Sequence, residues 1–432
     1  NLDGLPSFEQ KSYLVGLSSN YNINPSTVIS AAVNRFYTRY HGAPTALMDL
    51  YWTEWPGYSE DSAGNYDGTI QDDNYGGDVD YTDVAQVTGF TTGDDVNPIY
   101  RFRESAYNAL QLSLVNQLDK RNQLKTGLEY RKYSVEWDNK QFYNDNPYGE
   151  RYTSKPTYLS VFVQDKMEYD AFVVNVGARY DYINADVSYN VTPYELEANY
   201  QEADAKSKVS PRLGVSFPIG EKSVMHFNYG YYYQTPRYTY MYTNMDGDVS
   251  TGYPLLGNPD LEPEQTVSYE LGLDHMLGDN LRLDITAYYK DVTDLVATRS
   301  NYKVAGNAVT FFDNDDFGTV KGVDISLEKL PMAGYLTGSV SYSYMIARGV
   351  GSSATDAYYS YLTSLDDTLP PLTSYPLDYD QRHTLAAVLD YRVPSNWGLN
   401  VVGHYGSGLP YTVTDESGER LGDWNAGRLS DN

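Results

Sequence analysis

The residues of this sequence that can do chemistry are its histidines, its carboxylate clusters and its arginine-tyrosine runs, and their spacing sorts them. The five histidines, His41, His226, His275, His383 and His404, are widely scattered. None falls in the HExxH or other short spacing that brings two imidazoles onto one metal ion. The chain has no cysteine, which excludes a thiolate zinc site, a cysteine nucleophile and a disulfide framework. Carboxylates are so abundant that a paired Asp or Glu says little about general acid–base work. No Gly-rich phosphate loop follows a strand and opens a helix, and no G-x-S-x-G elbow is present. The chain is therefore not expected to be an enzyme or to carry a cofactor.

Two acidic runs offer clustered oxygens of the kind Ca²⁺ takes. In Asp78-Val79-Asp80-Tyr81-Thr82-Asp83 the candidate ligands are Asp78, Asp80 and Asp83; in Asp313-Asn314-Asp315-Asp316 they are Asp313, Asp315 and Asp316. The plainer reading of both is solvated acidic loop. A third constellation is the run YGYYYQTPRYTYMY from Tyr229 to Tyr242. Aromatic faces with an arginine beside them can stack on a peptide, a glycan or an aromatic chelate. Arg237, Tyr238, Tyr240 and Tyr242 are the candidate ligand contacts, whereas Tyr229, Tyr231 and Tyr233 read as an aromatic girdle. Trp52 and Trp55 in an earlier loop have the same standing as the ligand candidates.

The elements that must hold these residues are strands. From Gly257 to Val296, Val267, Tyr269, Leu271 and Leu273 alternate with polar neighbours, turn at Gly278-Asp279-Asn280, and resume as Leu281, Leu283, Ile285, Ala287 and Tyr289. This is a long β-hairpin with one apolar face and one face carrying both signs of charge. About fourteen such strands are visible. Their joints alternate short and long from one end of the chain to the other, which is the pattern of an up-and-down barrel with short turns on one side of a membrane and long loops on the other. The longest segment without a period, Ala43 to Asn97, holds twelve Asp or Glu and no Lys or Arg, and reads as a long acidic extracellular loop.

Composition agrees. The 46 tyrosines suit membrane–water interfaces. No stretch approaches the roughly 18 apolar residues of a spanning helix, and a mean hydropathy of -0.54 is compatible with strands in which only alternate residues meet lipid. A net charge of -27 argues against a nucleic-acid partner, which needs clustered Lys and Arg. The expected fold is all-β, a transmembrane antiparallel up-and-down β-barrel occupying residues 1–432.

The block Gly257-Asn258-Pro259-Asp260-Leu261-Glu262-Pro263-Glu264 resembles the loop-to-strand signature of TonB-dependent outer-membrane receptors. Further blocks in matching order resemble the Oar-like branch, whose members carry an N-terminal carboxypeptidase-regulatory-like domain. Among them are Ser210-Pro211-Arg212-Leu213-Gly214, Val320-Lys321-Gly322-Val323-Asp324 and Pro376-Leu377-Asp378-Tyr379-Asp380-Gln381-Arg382-His383. The resemblance implies a 22-stranded barrel in the outer membrane of a Gram-negative bacterium, closed inside by an N-terminal plug. It also implies energising through TonB, which would act on that N-terminal region. The sequence then corresponds to a partial barrel, without the regulatory and plug domains and the last strands. Expected partners are outer-membrane lipid, an extracellular ligand and TonB. Two rivals stand beside transport: a docking platform or conduit for envelope proteins, and a soluble secreted β-enzyme that binds carbohydrate through tyrosine.

Overall fold

A computed structural model of the chain describes residues 6–44, 48–51, 53, 99–141, 148–192, 199–245, 255–304, 307–331, 334–356, 358, 374–412 and 426–428. Fourteen long strands form the wall. They are β1 (Pro6–Asn24), β2 (Thr27–Pro44), β3 (Ile99–Gln117), β4 (Asn122–Gln141), β6 (Thr157–Glu168), β7 (Val173–Asn184) and β10 (Lys206–Gly220), followed by β11 (Ser223–Gln234), β13 (Glu264–Leu277), β14 (Leu281–Val304), β15 (Asn307–Lys329), β16 (Leu336–Gly349), β18 (His383–Arg392) and β19 (Gly398–Gly406). The short elements between them are β5 (Tyr148–Ser154), β8 (Ser188–Asn190), β9 (Tyr200–Glu202), β12 (Leu255–Leu256), β17 (Tyr375–Pro376), β20 (Pro410–Thr412), β21 (Ala426–Arg428) and one helical turn, α1 (Tyr238–Tyr242).

Every long strand pairs antiparallel with the next long strand in the chain, from β1–β2 through to β18–β19. Among the described residues β1 pairs only with β2 and β19 only with β18. Register keeps like with like. Leu271 lies between Phe227 and Ala287, and Ile285 between Leu273 and Ile325. The period of two then puts Ser268, Glu270 and Asp274 on the opposite face, where Arg282 donates to Asp274 at 2.8 Å.

Among the described residues the apolar face is open: Leu271 is 52% exposed and Val401 50%. Tyrosine pairs border this face near the long-loop end, Tyr13–Tyr37 at 5.1 Å and Tyr229–Tyr269 at 5.0 Å. Tyr391–Trp397 and Tyr169–Phe172 border it at the short-turn end, with centroids 5.5 and 4.8 Å apart. The buried hydrophobic cluster lies instead beyond the long-loop rim: Tyr152 from β5, Met241 and Tyr242 from α1, Leu261, Val296 from β14 and Phe312 from β15.

Past the wall the elements depart from the sequence pattern. β15 begins at Asn307, because β14 and β15 continue beyond the wall as a hairpin with a bulge at Asp294, φ 58°. The hairpin pairs with β12 at Thr310 and Phe311 and packs on the buried cluster through Val296 and Phe312. That extension has no apolar alternation, since neither face meets a uniform medium. β19 ends at Gly406. The short elements β5, β8 and β9 and the turn α1 fall where the sequence reads as loop.

Candidate functional site

Beyond Gln234 the chain turns back over the polar face of the wall as a strut. Thr235-Pro236 sets an extended approach, Arg237 stands at the helix start with φ -65° and ψ 141°, and α1 lasts a single turn. So short a helix cannot hold itself; it is held by what it touches. Tyr240 and Thr243 offer their carbonyls to Asn258 N–H at 2.9 Å and Gly257 N–H at 2.6 Å. Thr243 Oγ1 closes the turn by donating to Thr239 O at 2.6 Å. Gly257 has to be glycine, because a Cβ there would stand 2.7 Å from both Met241 O and Thr243 N. The Tyr242 hydroxyl donates to Ala185 O at 2.9 Å, and burial pushes it up to about 12.

The stretch after Gly257 is a junction rather than a ligand loop. Asn258 donates to Phe312 O at 3.0 Å. Asp260 accepts the Asp204 N–H at 2.8 Å and the Tyr189 hydroxyl at 3.1 Å. Lys206 stands 3.2 Å from Asp260, and Lys208 2.8 Å from Glu262. Burial works against the charged form of Glu262, but the two lysines hold its carboxyl below the usual range. Pro259, Leu261 and Pro263 fill the space beneath as fully buried side chains.

Between the strut and the wall is a cavity of about 430 Å³, roofed by Thr235–Tyr238 and walled by β4, the start of β6 and β7. On β4 the Arg131 guanidinium donates to Glu129 at 2.7 Å and to the Tyr133 hydroxyl at 3.3 Å. On β7 Arg179 donates to Asp181 at 2.8 Å and to the Tyr158 hydroxyl at 2.5 Å, and that hydroxyl donates in turn to Asp181 at 2.6 Å. Each pair sits two residues apart on one strand, so both side chains project from the same face. Tyr238 meets Tyr133 edge-on at 5.8 Å, and burial holds its hydroxyl well above the usual tyrosine value. The site presents flat aromatic faces and in-plane donors and acceptors.

The structure thus separates the aromatic candidates. Arg237 and Tyr238 line the cavity. Tyr240 turns to Phe312, centroid to centroid 4.8 Å, with the Arg237 guanidinium 5.7 Å from its ring. Tyr242, at 0% exposure, is a core residue and is corrected from ligand contact to packing. Trp52, Trp55, Asp78, Asp80 and Asp83 lie outside the described residues. The second acidic run is also corrected. Arg299 donates to Asp315 through both Nε and Nη2, at 3.0 and 2.6 Å, and stands 3.3 Å from Asp313. The cation those carboxylates meet is the chain's own guanidinium. Among the described residues no group of three or more His, Asp or Glu is placed to hold a metal. Glu129, Arg131, Tyr133, Tyr158, Arg179 and Asp181 were missed. The signal was present as Glu-x-Arg-x-Tyr and Arg-x-Asp, charges repeated at strand period on the polar face.

The family model described as TonB dependent receptor-like, beta-barrel, matches residues 4–430. The chain belongs to that family. Its solved relatives share the fold at low identity: the outer membrane transporter YddB from Escherichia coli is 13% identical with a TM-score of 0.63, over 99% of this chain and 54% of that one. The siderophore receptor PiuA from Acinetobacter baumannii is 11% identical with a TM-score of 0.58, over 96% and 57%. In sequence, an iron-regulated outer membrane virulence protein of Vibrio cholerae is 35% identical over 106 residues, 23% of this chain and 16% of that protein. This receptor chain spans about half the length of the solved relatives it matches. It is an outer-membrane β-barrel of a Gram-negative bacterium, so its apolar face meets lipid, its polar face lines the lumen, and its long loops point outward. The cavity lies at the outer end of the lumen.

Proposed function

We propose that this barrel belongs to an Oar-like receptor that captures an extracellular ligand in the rim cavity. The ligand is then imported with energy delivered from the inner membrane through TonB. One observation carries the reading: a cavity of about 430 Å³ between the strut and the lumen wall, lined by Arg237 and Tyr238 above and by Glu129, Arg131, Tyr158 and Arg179 below. Barrel strands fix the lower residues to a rigid wall, while a loop element supplies the upper ones. A change at the loop can therefore alter affinity without remaking the wall. The work is differential binding between a closed and an energised state, with no covalent step and no enzyme activity. Relatives named as siderophore receptors support small-molecule uptake as the general role. The Oar-like branch rests on the order of the sequence blocks, among them the one whose Asp380 is wholly buried and paired with Arg382 at 2.9 Å.

A second reading, a docking platform for envelope proteins, draws on the packed core beyond the membrane rim. Full-length receptor in cells separates the two. Uptake of a bound ligand that stops when TonB is deleted or the proton gradient is collapsed is the expected result. Ligand accumulation indifferent to both, with a stoichiometric protein partner retained through purification, would favour docking.

A further inference from the structure

We propose that the rim cavity takes a polyhydroxylated ligand, an oligosaccharide that is neutral or carries one acidic sugar, and not a multiply charged metal chelate. This rests on the cavity being the receptor's ligand site.

Charge decides against the chelate. The guanidiniums of Arg131 and Arg179 are committed to Glu129 and Asp181 on their own strands, with side chains only 33%, 17%, 27% and 12% exposed in the order Arg131, Glu129, Arg179, Asp181. A ligand with several negative charges would have to break these pairs, and each freed carboxylate would be left partly buried beside it. Arg237 is the exception. It is exposed, its guanidinium lies 5.7 Å from the Tyr240 ring, and the Glu264 carboxylate is near enough to feel its charge. Arg237 thus offers the cavity at most one positive charge, partly offset, matching at most one acid group. An intact Arg–carboxylate pair, by contrast, can hydrogen-bond a hydroxyl from either side: the carboxylate accepts the O–H and the guanidinium donates to the oxygen.

The aromatic arrangement supplies the second argument. From Tyr238 the rings continue along one register row of the lumen wall: Tyr238–Tyr133 at 5.8 Å, Tyr133–Tyr107 at 5.4 Å, Tyr107–Phe36 at 5.4 Å. Tyr133, Tyr107 and Phe36 are cross-strand partners on β4, β3 and β2. The row therefore repeats every 5.4 to 5.8 Å, somewhat above the strand spacing of about 4.8 Å and comparable to the length of one pyranose unit. Neighbouring rings are inclined by 77°, 54° and 26° along the row, so a chain of sugar rings meets a series of aromatic edges and faces at that interval.

Full-length receptor purified in detergent is titrated calorimetrically with cellotriose, maltotriose, aldotetraouronic acid and a ferric tris-catecholate. At least one saccharide is expected to bind. Tyr238→Ala and Tyr133→Ala should each weaken that binding roughly tenfold. Arg237→Gln, at an exposed position, should weaken only the acidic probe, by about fivefold. The ligand class is overturned if only the ferric chelate binds, if no saccharide binds, or if neither tyrosine change alters saccharide affinity in correctly folded protein. Energised uptake of the ferric chelate without saccharide binding sinks this ligand class and leaves the transport reading intact. Saccharide binding with uptake indifferent to the proton gradient does the reverse.

Discussion

Asn314 and Glu262 are joined through both ends of one side-chain amide. Asn314 Oδ1 accepts the Glu262 N–H at 2.8 Å, and Asn314 Nδ2 donates to Glu262 O at 3.0 Å and to Asp294 O at 2.7 Å. One residue of β15 thus ties the Asn258–Pro263 junction to the bulge that starts the outer β14–β15 hairpin. Asn314→Ala leaves an N–H and two carbonyls without these partners in a partly buried setting. It should cost the rim about 2 kcal/mol. Amide exchange over residues 255–264 should then speed up about thirtyfold while the wall strands exchange as before. Unchanged exchange at Glu262 would mean the amide is not a tie.

Gly257→Ala should displace α1. The added Cβ meets the backbone at Met241 and Thr243, which cannot step aside as a flexible side-chain tip would. A cost of about 1–3 kcal/mol follows. Limited proteolysis should begin to cut near residues 235–245. A digestion pattern identical to the parent would show that α1 and the Gly257 segment move independently.

Lipid and lumen faces predict opposite responses to the same residue. Leu271→Arg puts a charge on the face bordered by Phe227 and Ala287 and should cost about 2–4 kcal/mol if it lies near the bilayer midplane. Ser341→Arg, on the face shared with Ser326 and Ala386, should cost far less. Guanidine titration of folding into bilayers reads both. Equal costs would reverse the face assignment.

The outer rim should loosen as pH rises through about 6. Burial, then the nearby Asp315 and Asp356, raise the Asp316 carboxyl to about 6. Its folded value lies above the ordinary carboxylate range near 4, so between those values the folded rim holds a proton that the unfolded chain has released. Stability from this group is greatest at the acid end of that window and is lost as pH climbs to about 6. Asp356 meanwhile accepts the Ser352 and Ser353 N–H groups at 2.7 and 3.0 Å. Exchange in residues 350–356 should therefore be slower at pH 5 than at pH 7.5 after correction for intrinsic rates. Asp316→Asn should abolish the difference, and a difference that survives it would assign the effect elsewhere.

Much of this protein was determined by its sequence alone. Alternation at period two in Val267–Leu273 and Leu281–Tyr289 settled strand, face and partner, because a one-residue slip would send every apolar side chain to the wrong medium. The alternation of short and long joints settled the up-and-down order for the same local reason. What lies past the rim was decided only by tertiary structure. There water replaces lipid, periodicity lapses, and a residue's role depends on which distant segment arrives. Tyr238 and Tyr242 lie one turn apart in the same aromatic run, yet one lines a cavity opposite Tyr133 and the other disappears beneath Ala185. Asp315 looks like a metal ligand until Arg299 folds onto it. The cavity itself joins β4, β6, β7 and the strut, and no local pattern in any of them announces the other three.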